Sequence, residues 1–467
     1  MLHRKKEVDT TEKHPFIRFL GVICYVTAIL YLTEAFFPNA TLMIIYSLLG
    51  GFLLLCTFPF LPKISRIIVL MLVLFGITCF YLEEIPIQEA VLGFGRNTNL
   101  LSLFLLIPLI GTFMTTAGYL ESLKRFVQSW ENKGGHHPYL ISFILTATTG
   151  IILNFGSMAI VKKIADQSFT SFREQLLTLT IMRAFGFCML WSPYFVNVGL
   201  VLVVFDLTWV DIGKYGMVLA GVYLILSLLM YKYIAFPDDP IIHMDKKEEG
   251  KIQRTSLVPL LRFSIVLIVS SFSIDYMLEV NMLTVVSVVA IVLPFIWALF
   301  SKILKSFFQD VLIQVQSSFF SLKNELAIFI SAGFFGMAIS QTNIGPIMSE
   351  FLFRTSLGSV YALTILLVLL TTGLAQIGIH PVIIVIGIGS ALSPDKFGVS
   401  PEYLAVALLV AWTISTTISP FSGQILMASK LMNRQPSVII RQNVFFIIIV
   451  AAVLTFTLYS FYLFGFI

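Results

Sequence analysis

The chain has 467 residues, of which 58% are hydrophobic and 12% are charged, and its mean hydropathy is +0.93. Soluble domains carry about 25% charged residues, so this composition excludes a soluble globular protein and indicates a polytopic membrane protein. The net charge of +5 does not indicate nucleic-acid binding, because the basic residues are sorted by membrane side.

Eleven apolar segments are predicted to cross the membrane. They cover approximately residues 16–37, 41–60, 65–82, 99–118, 173–205, 214–234, 257–276, 282–300, 324–342, 402–430 and 442–467. The fifth and the tenth contain the steps Ser192-Pro193 and Ser419-Pro420. Proline removes a backbone donor and clashes with the preceding turn, so both helices are expected to break there.

Two further apolar segments, 137–168 and 358–393, carry polar residues near their middle. Each arm is shorter than the roughly 20 residues that a full crossing needs, so each segment is predicted to be a re-entrant hairpin. The first tip reads Asn154-Phe155-Gly156-Ser157, and the second reads Gln376-Ile377-Gly378-Ile379-His380-Pro381.

The basic residues support this topology. With a cytoplasmic N-terminus and two re-entrant hairpins, all but five of the 30 Lys and Arg residues lie on the cytoplasmic side, as the positive-inside rule requires. The five exceptions are Arg96, Arg183, Lys214, Arg354 and Lys396. The C-terminus is then extracytoplasmic, and the short loops indicate a bacterial-type plasma (inner) membrane.

Four matches in the same order relate two parts of the chain at offsets of 223 to 227 residues. They pair the segment starting at Asn99 with that at Asn324, and the Ser192-Pro193 step with Ser419-Pro420. The predicted topology orients the two copies oppositely, which is the inverted-repeat architecture of many secondary transporters.

The repeat divides the chain into four regions. They are an N-terminal tail with added scaffold helices (1–98), a first repeat (99–234), a linking region with a cytoplasmic loop, two helices and an amphipathic linker (235–323), and a second repeat (324–467).

The polar residues at the tips and breaks are the candidate substrate- and ion-binding residues. They are Asn154, Gly156, Ser157, Ser192, Asn197, Gln376, Gly378, His380, Thr417, Ser419, Ser422 and Gln424. The N-termini of half-helices favour an anion, whereas unwound carbonyls and hydroxyls suit sodium, here near Asn154, Ser157 and Ser419. Because no Asp or Glu lies close by, no multivalent metal site and no cofactor is expected, apart from sodium or a proton as the coupling ion.

Each of these assignments has a structural alternative. A Ser-Pro step can be a simple kink, Asn154 can be a turn residue, and His380 can be a buried core histidine. Arg183 is the one cation well inside a predicted span, where it could neutralise an anionic solute or pair within the scaffold. Its position about 13 Å along the helix from Ser192 favours the scaffold role.

The layout resembles the ion transporter superfamily, and most closely its divalent-anion/sodium symporter family. The resemblance covers roughly Asn99 to the C-terminus and rests on the hairpins and the paired Ser-Pro breaks. The family's tips carry Ser-Asn-Thr, which binds sodium and substrate carboxylate, and only Asn154 matches that pattern here. The resemblance implies eleven helices, a homodimer, and an elevator mechanism in which hairpins and broken helices move against a scaffold.

These observations predict a secondary active transporter, not an enzyme, that moves a small anionic solute such as a carboxylate by symport with sodium or protons. Its partners would be the solute, membrane lipid and a second copy of the chain, with no nucleic acid. Two alternatives stay open. One is an intramembrane transferase acting on lipid-linked substrates, with His380 as base and Asn154 as positioning group; the other is an ion channel.

Overall fold

Helices account for most of the chain. The structure is a computed structural model that describes residues 15–131, 137–154, 156–233, 236, 238–243, 256–278 and 280–467. The basic N-terminal tail, Phe155 at the first predicted tip and most of the charged loop 235–254 lie outside the described residues.

The elements are as follows in chain order. The first half contains α1 Pro15–Phe36, α2 Ala40–Thr57, α3 Lys63–Leu82, α4 Ile87–Leu92, α5 Thr98–Thr116, α6 Tyr119–Glu131, α7 Pro138–Leu153, α8 Gly156–Ser168, β1 Ser171–Arg173, α9 Glu174–Met189, α10 Val196–Phe205, α11 Trp209–Leu229 and β2 Ile241–His243. The second half contains α12 Val258–Met277, α13 Met282–Phe300, α14 Leu304–Ser321, α15 Lys323–Ser340, α16 Ile344–Thr355, α17 Val360–Gln376, α18 Pro381–Gly389, α19 Pro394–Phe397, α20 Pro401–Ile418, α21 Gly423–Met432 and α22 Pro436–Leu463. Short 3₁₀ helices cover Phe58–Phe60, Gly93–Gly95 and Met230–Tyr233.

The predicted fold class is confirmed. Within the described ranges, nine helices are long and apolar enough to cross a membrane, or up to 11 if each bent helix pair counts as one span. Each repeat contains a helical hairpin, α7–α8 or α17–α18, and a broken helix, α9–α10 or α20–α21.

A small ribbon departs from a purely helical fold. Strands β1 and β2 pair antiparallel, with Phe172 opposite Ile242. The ribbon corrects the predicted start of the fifth helix: Arg173 belongs to β1, and α9 begins at Glu174. Strands of three residues in a polar loop are too short to show a periodic pattern, so no strand was predicted there.

The chain forms two compact units. Unit 1 contains α1–α5 and α13–α15. Its segments are Met1–Ala117, Val269–Ser349 and Ile386–Leu392. Here α1 packs directly on α14, because Gly21 has no side chain: a Cβ would come within 2.3 Å of the Val315 carbonyl oxygen. The buried hydroxyl of Tyr25 donates to the Leu105 carbonyl at 2.8 Å, which ties α1 to α5.

Unit 2 contains both broken helices, the first hairpin and most of the second. Its segments are Gly118–Ile268, Glu350–Val385 and Ser393–Ile467. In this unit α20 lies between α17 and α22, and α9 packs on α7. The broken helices also cross-pack, since α10 contacts α20 and α9 contacts α21.

The two repeats are divided between the units in the same way. The first helix of each repeat, α5 or α15, belongs to unit 1, and the broken helix of each repeat belongs to unit 2. All twelve candidate site residues therefore lie within unit 2.

Candidate functional site

The first break separates α9 from α10, and its side chains satisfy the backbone groups that the break frees. The buried Ser192 hydroxyl donates to the Ile151 carbonyl at 3.3 Å and accepts from the Tyr194 amide at 3.4 Å. The Asn197 amide Nδ2 donates to the Met189 carbonyl, the last residue of α9, at 2.7 Å. A carbonyl left without a helical partner in the membrane is costly, so these bonds allow the helix to stop there.

The second break, between α20 and α21, has the same pattern of serine hydrogen bonds. The buried Ser419 hydroxyl donates to the Ala375 carbonyl at 2.7 Å and accepts from the Phe421 amide at 3.3 Å. Ala375 lies at the end of the first arm of the second hairpin, as Ile151 does in the first. We call the pairs Ser192–Ile151 and Ser419–Ala375 the serine clamps, because each ties a hairpin tip to the break of its own repeat.

The half-helix after the second break is capped by its own residue. Ser422 is the N-cap of α21: its hydroxyl accepts from the Ile425 amide at 3.2 Å and donates to the Thr416 carbonyl at 2.5 Å. The buried Thr417 donates to the carbonyls of Thr413 and Ile414 in its own helix. Its hydroxyl proton is therefore used inside α20.

Gln424 connects the second repeat to the first. Its Nε2 donates to the Met182 carbonyl of α9 at 2.8 Å, while its buried Oε1 has no hydrogen-bond partner among the described residues. The Thr416 hydroxyl lies 3.7 Å from the Met189 sulfur, so the two breaks are neighbours. A buried amide oxygen without a donor is an acceptor available to a ligand.

The tip of the first hairpin is a tight turn. Asn154 has φ +50°, and its carbonyl accepts both the amide of Ser157, at 3.0 Å, and the Ser157 hydroxyl, at 2.7 Å. The neighbouring Gly156 opens α8, and an added Cβ there would meet no atom within 4 Å. The turn therefore leaves free space beside the first residue of a helix.

The tip of the second hairpin also makes its own backbone contacts. Gln376 Nε2 donates to the Ile418 carbonyl at the end of α20, at 3.0 Å. Gly378 has φ +94°, a conformation that favours glycine. The Nδ1 atom of His380 accepts from the Val382 amide at 3.3 Å, beside the start of α18.

The structure thus places the predicted residues in two hairpin–break pairs within unit 2. Asn154, Ser157, Ser192 and Asn197 form the first pair, with Gly156 at its open edge. The second pair consists of Gln376, Gly378, His380, Thr417, Ser419, Ser422 and Gln424. Most of their hydrogen bonds hold backbone groups of the turns and breaks. Gln424 Oε1 is the buried acceptor among them that has no donor in the described part of the chain.

Sequence reasoning missed the residues that anchor the start of the first broken helix. The Asp239 carboxylate accepts the amides of Gln175 and Leu176 at 2.8 and 3.1 Å. The buried Lys162 lies 2.5 Å from Asp166 and 3.4 Å from Glu174. Acidic groups stabilise a helix N-terminus, and the adjacent residues Asp238 and Asp239 were the available signal in the sequence.

Arg183 is held by an aromatic ring and an amide. It is 3% exposed, its Nε donates to Asn443 Oδ1 at 3.2 Å, and its Cζ lies 3.7 Å from the Phe446 ring centroid. Asn443 Nδ2 in turn donates to the Thr417 carbonyl at 3.4 Å. Arg183 is therefore linked to the second break through one intervening side chain.

Comparison with solved structures agrees with this architecture. No protein-family model matches the chain, and no curated relative matches it. The crystal structure of the YdaH transporter of Alcanivorax borkumensis, described as having an unusual topology, is similar with a TM-score of 0.54. The two sequences are 11% identical over an alignment that covers 85% of this chain and 98% of the other. The likeness shows a shared fold.

Proposed function

We propose that the chain is a secondary active transporter of a small anionic solute. The observation that carries the proposal is the pair of serine clamps. Each repeat brings a hairpin tip to a helix break through the same hydrogen bond, from Ser192 to Ile151 and from Ser419 to Ala375. Matched breaks of this kind at membrane depth are the architecture of transporter binding sites, and the fold shared with a solved transporter supports the same reading.

The helix ends favour an anion as the solute. Four short helices, α8, α10, α18 and α21, begin at the tips or breaks. Their N-termini present backbone amides and the positive ends of helix dipoles, which attract carboxylate or phosphate groups. We therefore propose an organic anion such as a carboxylate.

The oxygen atoms at the breaks suit a monovalent cation as the coupling ion. The buried Gln424 Oε1 has no donor among the described residues, and hydroxyl groups of Ser157 and Ser419 lie at the first tip and the second break. Sodium takes such neutral oxygen ligands. A proton carried by His380 is the alternative coupling ion.

The division of each repeat between the units supports an elevator mechanism. The hairpins and broken helices gather in unit 2, while α5 and α15 belong to unit 1. In this proposal unit 2 carries the solute, unit 1 is the scaffold and the homodimer contact, and the protein resides in a plasma membrane.

Uptake into proteoliposomes tests the proposal. A panel of radiolabelled organic anions would be offered with an inward sodium gradient, an inward proton gradient, or neither. We expect saturable accumulation of one class of anion under one gradient. A steady current without accumulation would indicate a channel instead. Thermal stabilisation of the purified protein by lipid-linked sugars or acyl donors alone would overturn the transporter proposal in favour of a transferase.

The substitution His380→Ala tests the second tip. We expect it to abolish uptake or to flatten its pH dependence, because an ionisable group at membrane depth is rarely without function. Thermal unfolding in detergent would show that the variant is folded. Native uptake at every pH would leave His380 with a structural role only.

A further inference from the structure

A cavity of about 300 Å³ lies in unit 2, apart from the hairpin tips. It is formed by the start of the first hairpin, by α9, and by the end of α11. Its lining residues are His137, Tyr139, Leu140, Phe143, Thr180, Arg183, Ser227, Leu228 and Tyr231. Such a volume is at the lower end of the range for small-molecule sites.

One of the lining residues is a buried cation with a donor nitrogen that has no partner among the described residues. Arg183 is 3% exposed, and its Nη1 has no hydrogen-bond partner among the described residues. It pairs with no carboxylate in that part of the chain; its neighbours are Asn443 and the Phe446 ring. A buried guanidinium is costly without a counter-charge, and a guanidinium is suited to bidentate binding of an oxyanion.

The other lining residues indicate the chemistry of the ligand. Tyr139 and Tyr231 place their ring centroids 5.6 Å apart, and the Tyr139 hydroxyl oxygen already accepts the Arg173 amide at 3.0 Å. That hydroxyl can therefore donate its own proton to an anion. The hydroxyls of Thr180 and Ser227 donate to carbonyls of their own helices. None of the described lining residues is acidic.

The rim of the cavity is apolar and accessible. Leu140 and Leu228 line it and are 45% and 47% exposed. A ligand with an apolar body can thus enter beside them and present its charged end to Arg183.

We propose that this cavity is a second anion site, which binds a carboxylate or phosphate group carried on an apolar body, with Arg183 as the charge partner. The group can come from a free organic anion or from the headgroup of an anionic lipid. The site is distinct from the proposed transport site, and its occupancy can be measured without transport.

Binding to the full-length protein tests the proposal and separates the two sources. In nanodiscs of phosphatidylcholine alone, inorganic phosphate and butanoate would be titrated by calorimetry at constant ionic strength. In a second arm, native mass spectrometry would count retained phosphatidylglycerol against phosphatidylcholine. Arg183→Gln would be compared with Arg125→Gln, which removes a 43% exposed arginine side chain from α6 in the same unit.

We expect Arg183→Gln to weaken binding in at least one arm by about tenfold to a hundredfold, as for loss of a charge-assisted hydrogen bond, and Arg125→Gln to bind like the native protein. The arm in which binding weakens shows whether the bound group comes from a free anion or from a lipid headgroup. Equal binding by the native protein and Arg183→Gln in both arms would overturn the proposal.

A second variant covers the case in which Arg183→Gln does not fold. Leu140→Trp keeps the arginine and fills the cavity from its exposed rim. We expect the same loss of binding. Native binding by Leu140→Trp in both arms would overturn the proposal, because the ligand would then lie elsewhere.

Discussion

The two hairpin–break pairs have the same serine clamps but differ in the hydrogen bond that their amide side chain makes. In the first, Asn197 donates to Met189 within its own break. In the second, the longer Gln424 reaches across to Met182 of the first repeat. The Gln424 side chain is one methylene longer than that of Asn197. It bonds to the other repeat, whereas Asn197 bonds within its own break. Among the described residues, buried side-chain atoms without a hydrogen-bond partner occur in both repeats. They include atoms of Ser142, Ser168, Arg183 and Trp191 in the first, and of Thr371, Thr372 and Gln424 in the second.

The serine clamps are the same in both repeats, whereas the amides that follow them take separate roles. In the first pair, the Asn197 amide closes its own break. In the second pair, the Gln424 amide contacts the other repeat, and its Oε1 has no donor among the described residues.

The largest expected effect comes from removing the two amides. Gln424→Ala should lower the free energy of unfolding by about 3 kcal/mol, because it leaves a buried cavity and removes the hydrogen bond to the Met182 carbonyl of α9. Asn197→Ala should lower the free energy of unfolding by about 2 kcal/mol, since removing the shorter Asn197 side chain leaves a smaller cavity. Reversible unfolding in detergent measures both. A larger loss for Asn197→Ala would contradict the idea that the contact between repeats is the stronger one.

The serine clamps should show a smaller difference. Ser419→Ala should cost about 1.5 kcal/mol and Ser192→Ala about 0.5 kcal/mol, because the clamp bonds are 2.7 and 3.3 Å long. Hydrogen exchange should rise at the hairpin tip of the altered repeat and not at the other tip. Equal exchange at both tips in either variant would show that the clamps do not act within their own repeats.

A last contrast is expected between two buried threonines, Thr371 and Thr149, in the first arms of the two hairpins. The buried Thr371 hydroxyl has no partner among the described residues, whereas the Thr149 hydroxyl donates to the Leu145 carbonyl at 2.6 Å. Thr371→Val should therefore leave stability unchanged or raise it slightly, and Thr149→Val should lower it by about 1 kcal/mol. Thermal unfolding of the two variants side by side decides the point.

The fold class could be predicted from the sequence because its signals are local. Long apolar segments, short hairpin arms and the Ser-Pro steps at Ser192 and Ser419 each depend on neighbouring residues. The matched order of these signals then revealed the repeat.

The partners within the site could not be predicted, because they are distant in the sequence. Gln424 bonds to a residue 242 positions away, and Arg183 to one 260 positions away. The sequence showed Arg183 as an isolated cation in a span. Only the folded chain shows that its Nη1 has no partner among the described residues and that it lines a cavity.

The serine clamps have a consequence for how the hairpin tips can change over evolution. Both acceptors, at Ile151 and Ala375, are main-chain carbonyls, which every residue type provides. The tip side chains can therefore be exchanged without loss of the bond that holds each tip in place. The residues of a tip, such as those that precede His380, can then change while the frame around them stays the same.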